Sequence, residues 1–282
     1  MTYSNLRSAI LLTVLAFQVV HATTLSVDDG RPVAKAVQTL VSQYGYAITY
    51  EDPRYAYDGD LQDVTTQVRK DLDKYPPGKA PKVIAPLGGK LTLNVPSTMG
   101  LSDVSSVLNQ LVQSSPSGHF RVQQTGDVFH VVPTEVRDRD GNWALSSSIL
   151  DVPISIPTKD RSESEIMDAI CQAVSSIVQV EVDVSGIRVG GFRSEAGPTL
   201  YRFGADNELA RSVLMRALAT TSNNKRTWLI FYDVGQKLYV LNIFRVPELF
   251  PKPQVPVPPP AVPNTSGVSG IVNPLPKNPS TK

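Results

Sequence analysis

The sequence predicts an α+β fold made of two tandem small domains of β-α-β-β-α-β-β type, each with two helices packed on a small mixed sheet, with a disordered Pro-rich tail behind them. Three observations predict it. Four segments carry apolar residues at helical spacing, short β-branched or aromatic runs flank each of them, and the order of these runs repeats once along the chain.

The first helical stripe is Val33, Val37, Leu40, Val41 and Tyr44, and the second is Leu101, Val104, Leu108 and Leu111. The third is Ile166, Ile170, Val174 and Ile177, and the fourth is Leu209, Val213, Leu214 and Leu218. Each is the i, i+3/i+4, i+7 pattern of a helix with one buried face. Ser162 with Glu165 has the spacing of a capping box, and Asp206 stands where a start signal for the fourth helix is expected.

Strands are expected before these helices at Leu25–Val27, Leu91–Leu93, Ile154–Ile156 and Leu200–Phe203. After them, hairpins are expected where Phe120–Val122 returns through Thr125-Gly126-Asp127 to Val128–Val132, and where Trp228–Tyr232 returns through Asp233–Gln236 to Leu238–Leu241. A third return joins Val180–Val184 through Ser185-Gly186 to Ile187–Val189. The boundaries that follow are a first domain at 23–134, a linker at 135–149 and a second domain at 150–247. The first domain carries an insertion at 52–89, with a helix through Leu61, Val64, Val68 and Leu72 and an aromatic pair, Tyr55 and Tyr57, expected to be displayed to a protein partner.

Residues 1–22 read as a cleavable export signal. Arg7 precedes an apolar run from Ala9, and Val20-His21-Ala22 puts small residues at the minus-three and minus-one positions of a cut. The run is shorter than the roughly 20 residues a bilayer-spanning helix needs, so no stable membrane insertion is expected after cleavage, and the location is periplasmic or secreted. Residues 248–282 are Pro-rich and then polar, a composition that cannot repay ordering by burial, with a polyproline II bias. Lys plus Arg number 27 against 26 Asp plus Glu, so no global field exists to gather nucleic acid, and none is expected as a partner. Cys171 is the only cysteine, which rules out an intrachain disulfide and leaves the fold to its apolar core.

The strand Leu25-Ser26-Val27, the helix Val33 to Val41 and the following Gly45-Tyr46-Ala47-Ile48-Thr49-Tyr50 have the cadence of a known family. The chain resembles the short N-terminal domain that precedes secretins and TonB-dependent receptors (STN, secretin N0-like), in what looks like two tandem copies. Residues 209–232 repeat the cadence. The resemblance implies an exported, non-enzymatic protein-interaction module of the bacterial cell envelope, docking to a protein of a secretion, pilus or uptake assembly. It carries over no catalytic, cofactor or metal residues.

A search for chemistry leads the same way. His119 and His130 flank one hairpin and could approach each other, yet two ligands fall short of a metal site. Asp138-Arg139-Asp140-Gly141-Asn142 places Trp143 and Ile149 where a calcium loop needs Gly and Glu. Gly88-Gly89-Lys90 lacks the earlier Gly and the Ser or Thr of a phosphate loop. Ser222-Asn223-Asn224-Lys225 has the Ser-x-x-Lys spacing but falls after a helix rather than at its start. No cofactor is expected. The alternatives are an envelope hydrolase acting on cell-wall or peptide substrates, which needs a pocket near His119, His130 or Ser222, and a structural spacer built on the tail.

Overall fold

The computed structural model describes residues 22–116, 118–184 and 199–248. The signal up to His21, the return strand Ile187–Val189 and the tail from residue 249 lie outside the described residues. The first half runs β1 (Ala22–Asp29), α1 (Pro32–Tyr44), β2 (Ala47–Glu51), β3 (Leu61–Asp63), a single turn α2 (Thr65–Val68) and β4 (Ile84–Pro86). It continues through β5 (Gly89–Pro96), α3 (Leu101–Gln113), β6 (His119–Thr125), β7 (Val128–Arg137) and β8 (Trp143–Leu145). The second half is β9 (Pro153–Arg161), α4 (Glu163–Val178), β10 (Val182–Val184), β11 (Tyr201–Leu209), α5 (Ala210–Thr221), β12 (Arg226–Asp233) and β13 (Leu238–Arg245).

Local chemistry accounts for the helix ends. Pro32 opens α1 with its φ preset, and α1 closes on Gly45 at φ 66°, whose N–H bonds the Val41 carbonyl. Ser162 and Glu165 form the expected capping box on α4. Asp206 starts nothing. Strand β11 continues to Leu209, and α5 instead seats its first N–H groups on the carbonyls of Val152 and Leu150.

The two halves repeat one pairing scheme. In the first, β1 pairs antiparallel with β5, while β2 lies parallel to β7 and β7 antiparallel to β6. In the second, β9 pairs antiparallel with β11, while β10 lies parallel to β13 and β13 antiparallel to β12. Each helix pair therefore packs between a two-stranded ribbon and a three-stranded mixed sheet, rather than on one sheet alone. The two three-stranded sheets then join edge to edge, because β12 pairs parallel with β2, Leu229 opposite Tyr50 and Ile230 opposite Glu51. The result is one sheet in the order β10-β13-β12-β2-β7-β6, with β8 added to β7.

Strand alternation places the helices of the two halves on opposite faces of this sheet. Trp228, Ile230 and Tyr232 enter the core with α4 and α5, whereas Leu229 enters the core with α1 and α3. The described residues form one compact unit. The expected linker corrects accordingly: Glu135–Arg137 continue β7, Trp143–Leu145 pair back onto them, and Ser148 is buried. The insertion corrects as well, since Leu61 lies in β3, paired with β4, and the expected helix shrinks to the single turn α2.

Leu229 is fully buried in the first-half core while its strand belongs to the second half. Leu229→Ala is expected to cost about 2–5 kcal/mol in urea unfolding; a loss below about 1 kcal/mol would show that this side chain does not tie the halves together.

Candidate docking edge and buried polar junction

Where β2 meets β12, charged groups are buried between the halves. Glu51, at the end of β2, is 1% exposed and Arg211, on α5, is 5% exposed. Arg211 Nη2 lies 2.7 Å from Glu51 Oε1, in ion-pair contact but off the hydrogen-bonding line. It donates to Ser148 Oγ at 2.6 Å and to Asp151 Oδ1 at 3.0 Å, and the Ser148 hydroxyl donates to Glu51 Oε2 at 2.6 Å. Burial raises the Glu51 carboxyl above its ordinary range, opposed by the Arg211 charge. One residue on, Asp52 accepts from Arg31 Nε at 2.5 Å, from the Tyr50 hydroxyl at 2.7 Å and from the Tyr232 N–H at 3.0 Å. Its carboxyl too is raised by burial, against the pull of Arg31.

Sequence reasoning missed these charges, although a signal existed. Arg211 sits three residues before Leu214 and seven before Leu218, inside the apolar stripe of α5, where a charge needs a buried partner. The histidines separate rather than meet. His130 is buried, its Nδ1 2.9 Å from Thr49 Oγ1, and burial first and the Arg211 charge second lower its pKa to about 4. His119 is exposed and pairs with Glu135 across the β6–β7 hairpin.

Strand β6 ends the sheet, and no described strand pairs with its outer side. At its start an aromatic cluster faces solvent. The His119 and Trp143 rings stack at 4.2 Å, and the Arg137 guanidinium lies 5.1 Å from the Trp143 ring and 5.7 Å from that of Tyr57. Trp143 is 45% exposed and Leu145 89% exposed. Asp60 pairs with Arg137 at 3.1 Å and holds it in place. Tyr57 thus belongs to a surface cluster, half-buried, and its partners come from the supposed linker. Tyr55 does not. It is 5% exposed and packs with the second-half core, its hydroxyl 3.5 Å from Asp52, so it cannot serve as a displayed anchor.

The remaining sequence candidates resolve simply. Cys171 is buried on α4, its thiol pushed up to about 12 by burial, as an inert apolar group. Asp138 Oδ1 accepts from the Asp140 and Asn142 N–H groups and closes a local turn. Ser222 Oγ accepts from the Asn224 N–H, and Lys225 is ion-paired with Asp127. Among the described residues no cluster of three or more His, Cys, Asp or Glu is placed to hold a metal, and no helix is long and apolar enough to cross a membrane. Comparison with protein-family models, curated proteins and solved structures finds no match to this chain.

Removing one partner of the buried pair strands the other. Arg211→Met is expected to cost about 3–5 kcal/mol, and adding Glu51→Leu to restore most of it; a double variant no more stable than the single one, by urea unfolding, would contradict the coupling. His130 gives a pH signature. Its imidazole titrates near 6.5 unfolded and about 4 folded, so below 6.5 the unfolded chain binds a proton the native one does not. Stability from this group is full above pH 6.5 and falls on acidification toward pH 4, by up to roughly 3 kcal/mol. Glu51 and Asp52, whose folded values are raised, act in the opposite sense, so the test is the difference between wild type and His130→Leu. The variant's advantage should grow between pH 7 and pH 4.5, and parallel curves would refute the assignment.

Proposed function

We propose that this chain is an exported, non-enzymatic interaction module of the bacterial cell envelope, related in kind to the short N-terminal domains of secretins and TonB-dependent receptors, and that its partner adds a strand along β6. The observation that carries this reading is the junction of the two halves. There the chain already uses the edge of one β-α-β-β-α-β-β unit to capture the edge of another, β12 on β2. Edge addition supplies affinity through main-chain hydrogen bonds and specificity through alternate side chains.

Strand β6 holds in the first half the place of β12 in the second. Counting back from the hairpin-closing pairs, Thr125 with Val128 and Asp233 with Leu238, Arg121 corresponds to Leu229 and Gln123 to Phe231. Leu229 and Phe231, which turn toward the first-half core, are replaced on β6 by Arg121 and Gln123, while Ile230 keeps an apolar counterpart in Val122. That exchange favours a reversible partner over another permanently stacked unit. Trp143 and Leu145 lie on β8, across β7 from β6, and the His119 ring at the start of β6 stacks on Trp143, so the aromatic cluster stands at that end of the edge and offers anchors of the kind that strengthen an otherwise polar contact.

The test is cross-linked affinity capture from the cell envelope with the mature chain, run beside a Tyr57→Ala/Trp143→Ala variant of unchanged circular dichroism. Loss of an aromatic anchor at about 2 kcal/mol is near thirty-fold in affinity, so the captured partner should largely disappear. Equal capture by both proteins would remove this edge from the interface, and capture of nothing by the wild type would sink the interaction reading.

A further inference from the structure

The sheet ends on β6 at one side and on β10 at the other, and among the described residues no strand pairs with the outer side of either. These two strands hold the places that the internal junction joins. Counting from the pairs with β7 and β13, Ile48 of β2 corresponds to Val182 of β10 and Tyr50 to Val184, just as Leu229 of β12 corresponds to Arg121 of β6. The junction sets Leu229 opposite Tyr50 in parallel. Repeated between two copies of the chain, the same contact sets Arg121 opposite Val184.

The helices behind these edges correspond too. Helices α1 and α4 each close on a residue in the left-handed region, Gly45 and Gln179, whose N–H bonds the carbonyl four residues back. On that alignment Ala34 corresponds to Asp168 and Val41 to Ser175. Ala34 and Val41 belong to the apolar core that Leu229 enters. Asp168 and Ser175 instead line an open crevice between α4 and β10, together with Gln172, Glu181 and Asp183. The three carboxylates are exposed. On the other edge Arg121 is exposed as well, and its pairing with Asp151 is loose, at 3.6 Å. The first half thus offers an apolar groove to a strand carrying leucine, and the second offers an acidic groove while the strand left over carries arginine at the same place. Both sides of the contact have changed in the matching sense, and such complementarity selects partners.

We propose that a second copy of this chain is the partner of β6: β6 of one copy lies parallel along β10 of the next, and Arg121 enters the acidic crevice of Asp168, Glu181 and Asp183. The proposal rests on the reading that β6 accepts a strand, and it names what is accepted. Each copy carries one β6 and one β10, so the contact is head-to-tail and passes from copy to copy. Its charges stand at an open crevice rather than in a core, so association is reversible and weakens with salt.

The test is sedimentation velocity of the mature chain at rising protein concentration, in low and in high salt. Wild type is expected to associate reversibly, and less so in high salt. Arg121→Glu and, separately, Asp168→Arg/Glu181→Arg alter exposed residues and should each weaken association by more than about ten-fold at unchanged circular dichroism. All three changes in one chain set opposite charges together again and should restore it. A wild type that stays monomeric, or a triple variant no better than the others, would overturn the proposal. So would dimers lost with Arg121→Glu but kept with Asp168→Arg/Glu181→Arg, since two β6 strands would then be paired with each other. After a monomeric result the edge reading still stands if envelope capture yields a different protein that Tyr57→Ala/Trp143→Ala loses; with no such protein captured, both fall.

Discussion

The parallel pairing of β12 with β2 is the constraint on which the rest of the molecule depends. Side chains alternate along β12, so its even-numbered residues 228, 230 and 232 belong to one core and Leu229 to the other. A slip of one residue would exchange the two sets and put Trp228 among the helices of the wrong half. Polar contacts pin the register: Thr227 Oγ1 donates to the Ile48 carbonyl at 2.6 Å, and the Asp52 N–H to the Ile230 carbonyl at 2.8 Å. The Glu51–Arg211–Ser148 set lies beside them. Desolvation offsets much of what such buried charges gain by pairing, and their distinctive consequence is that only one alignment matches them all.

The same constraint explains where function is sought. Joining the halves consumes the outer edges of β2 and β12 and leaves β6 as the sheet's end on the first-half side. Natural proteins blunt such edges with charge or irregularity. Here β6 carries Arg121 and a register shift between His119 and Phe120, and His119 at its start stacks on Trp143 from across β7.

Much of this architecture was legible in the residues. Helices α1, α3 and α4 fall where the spacing puts them, although Leu101 and Ile177 at the ends of their stripes are exposed, and Ser162 and Glu165 start α4 and the hairpins turn at Gly126 and at Asp233 as read. The candidate site was legible only in part. Tyr57 reached the surface cluster, but Trp143, Arg137 and Leu145 sat in a stretch read as a linker. Tyr55, set among Asp52, Arg54 and Asp58, has the neighbours of a solvated residue and is nevertheless core. It is buried in the core that the second half supplies, which no nearby residue announces.

The sequence by itself determined the kinds of element and their once-repeated order, because helical and strand periods, caps and tight turns are written within a few residues of one another. Tertiary structure alone decided which edges join, which face each helix pair covers and which charges are buried. Glu51 and Arg211, Asp52 and Arg31, and Leu229 and Tyr50 acquire their environments from residues far away along the chain. The free energy of those contacts lies in desolvation and packing between distant segments, and local pattern carries no record of it.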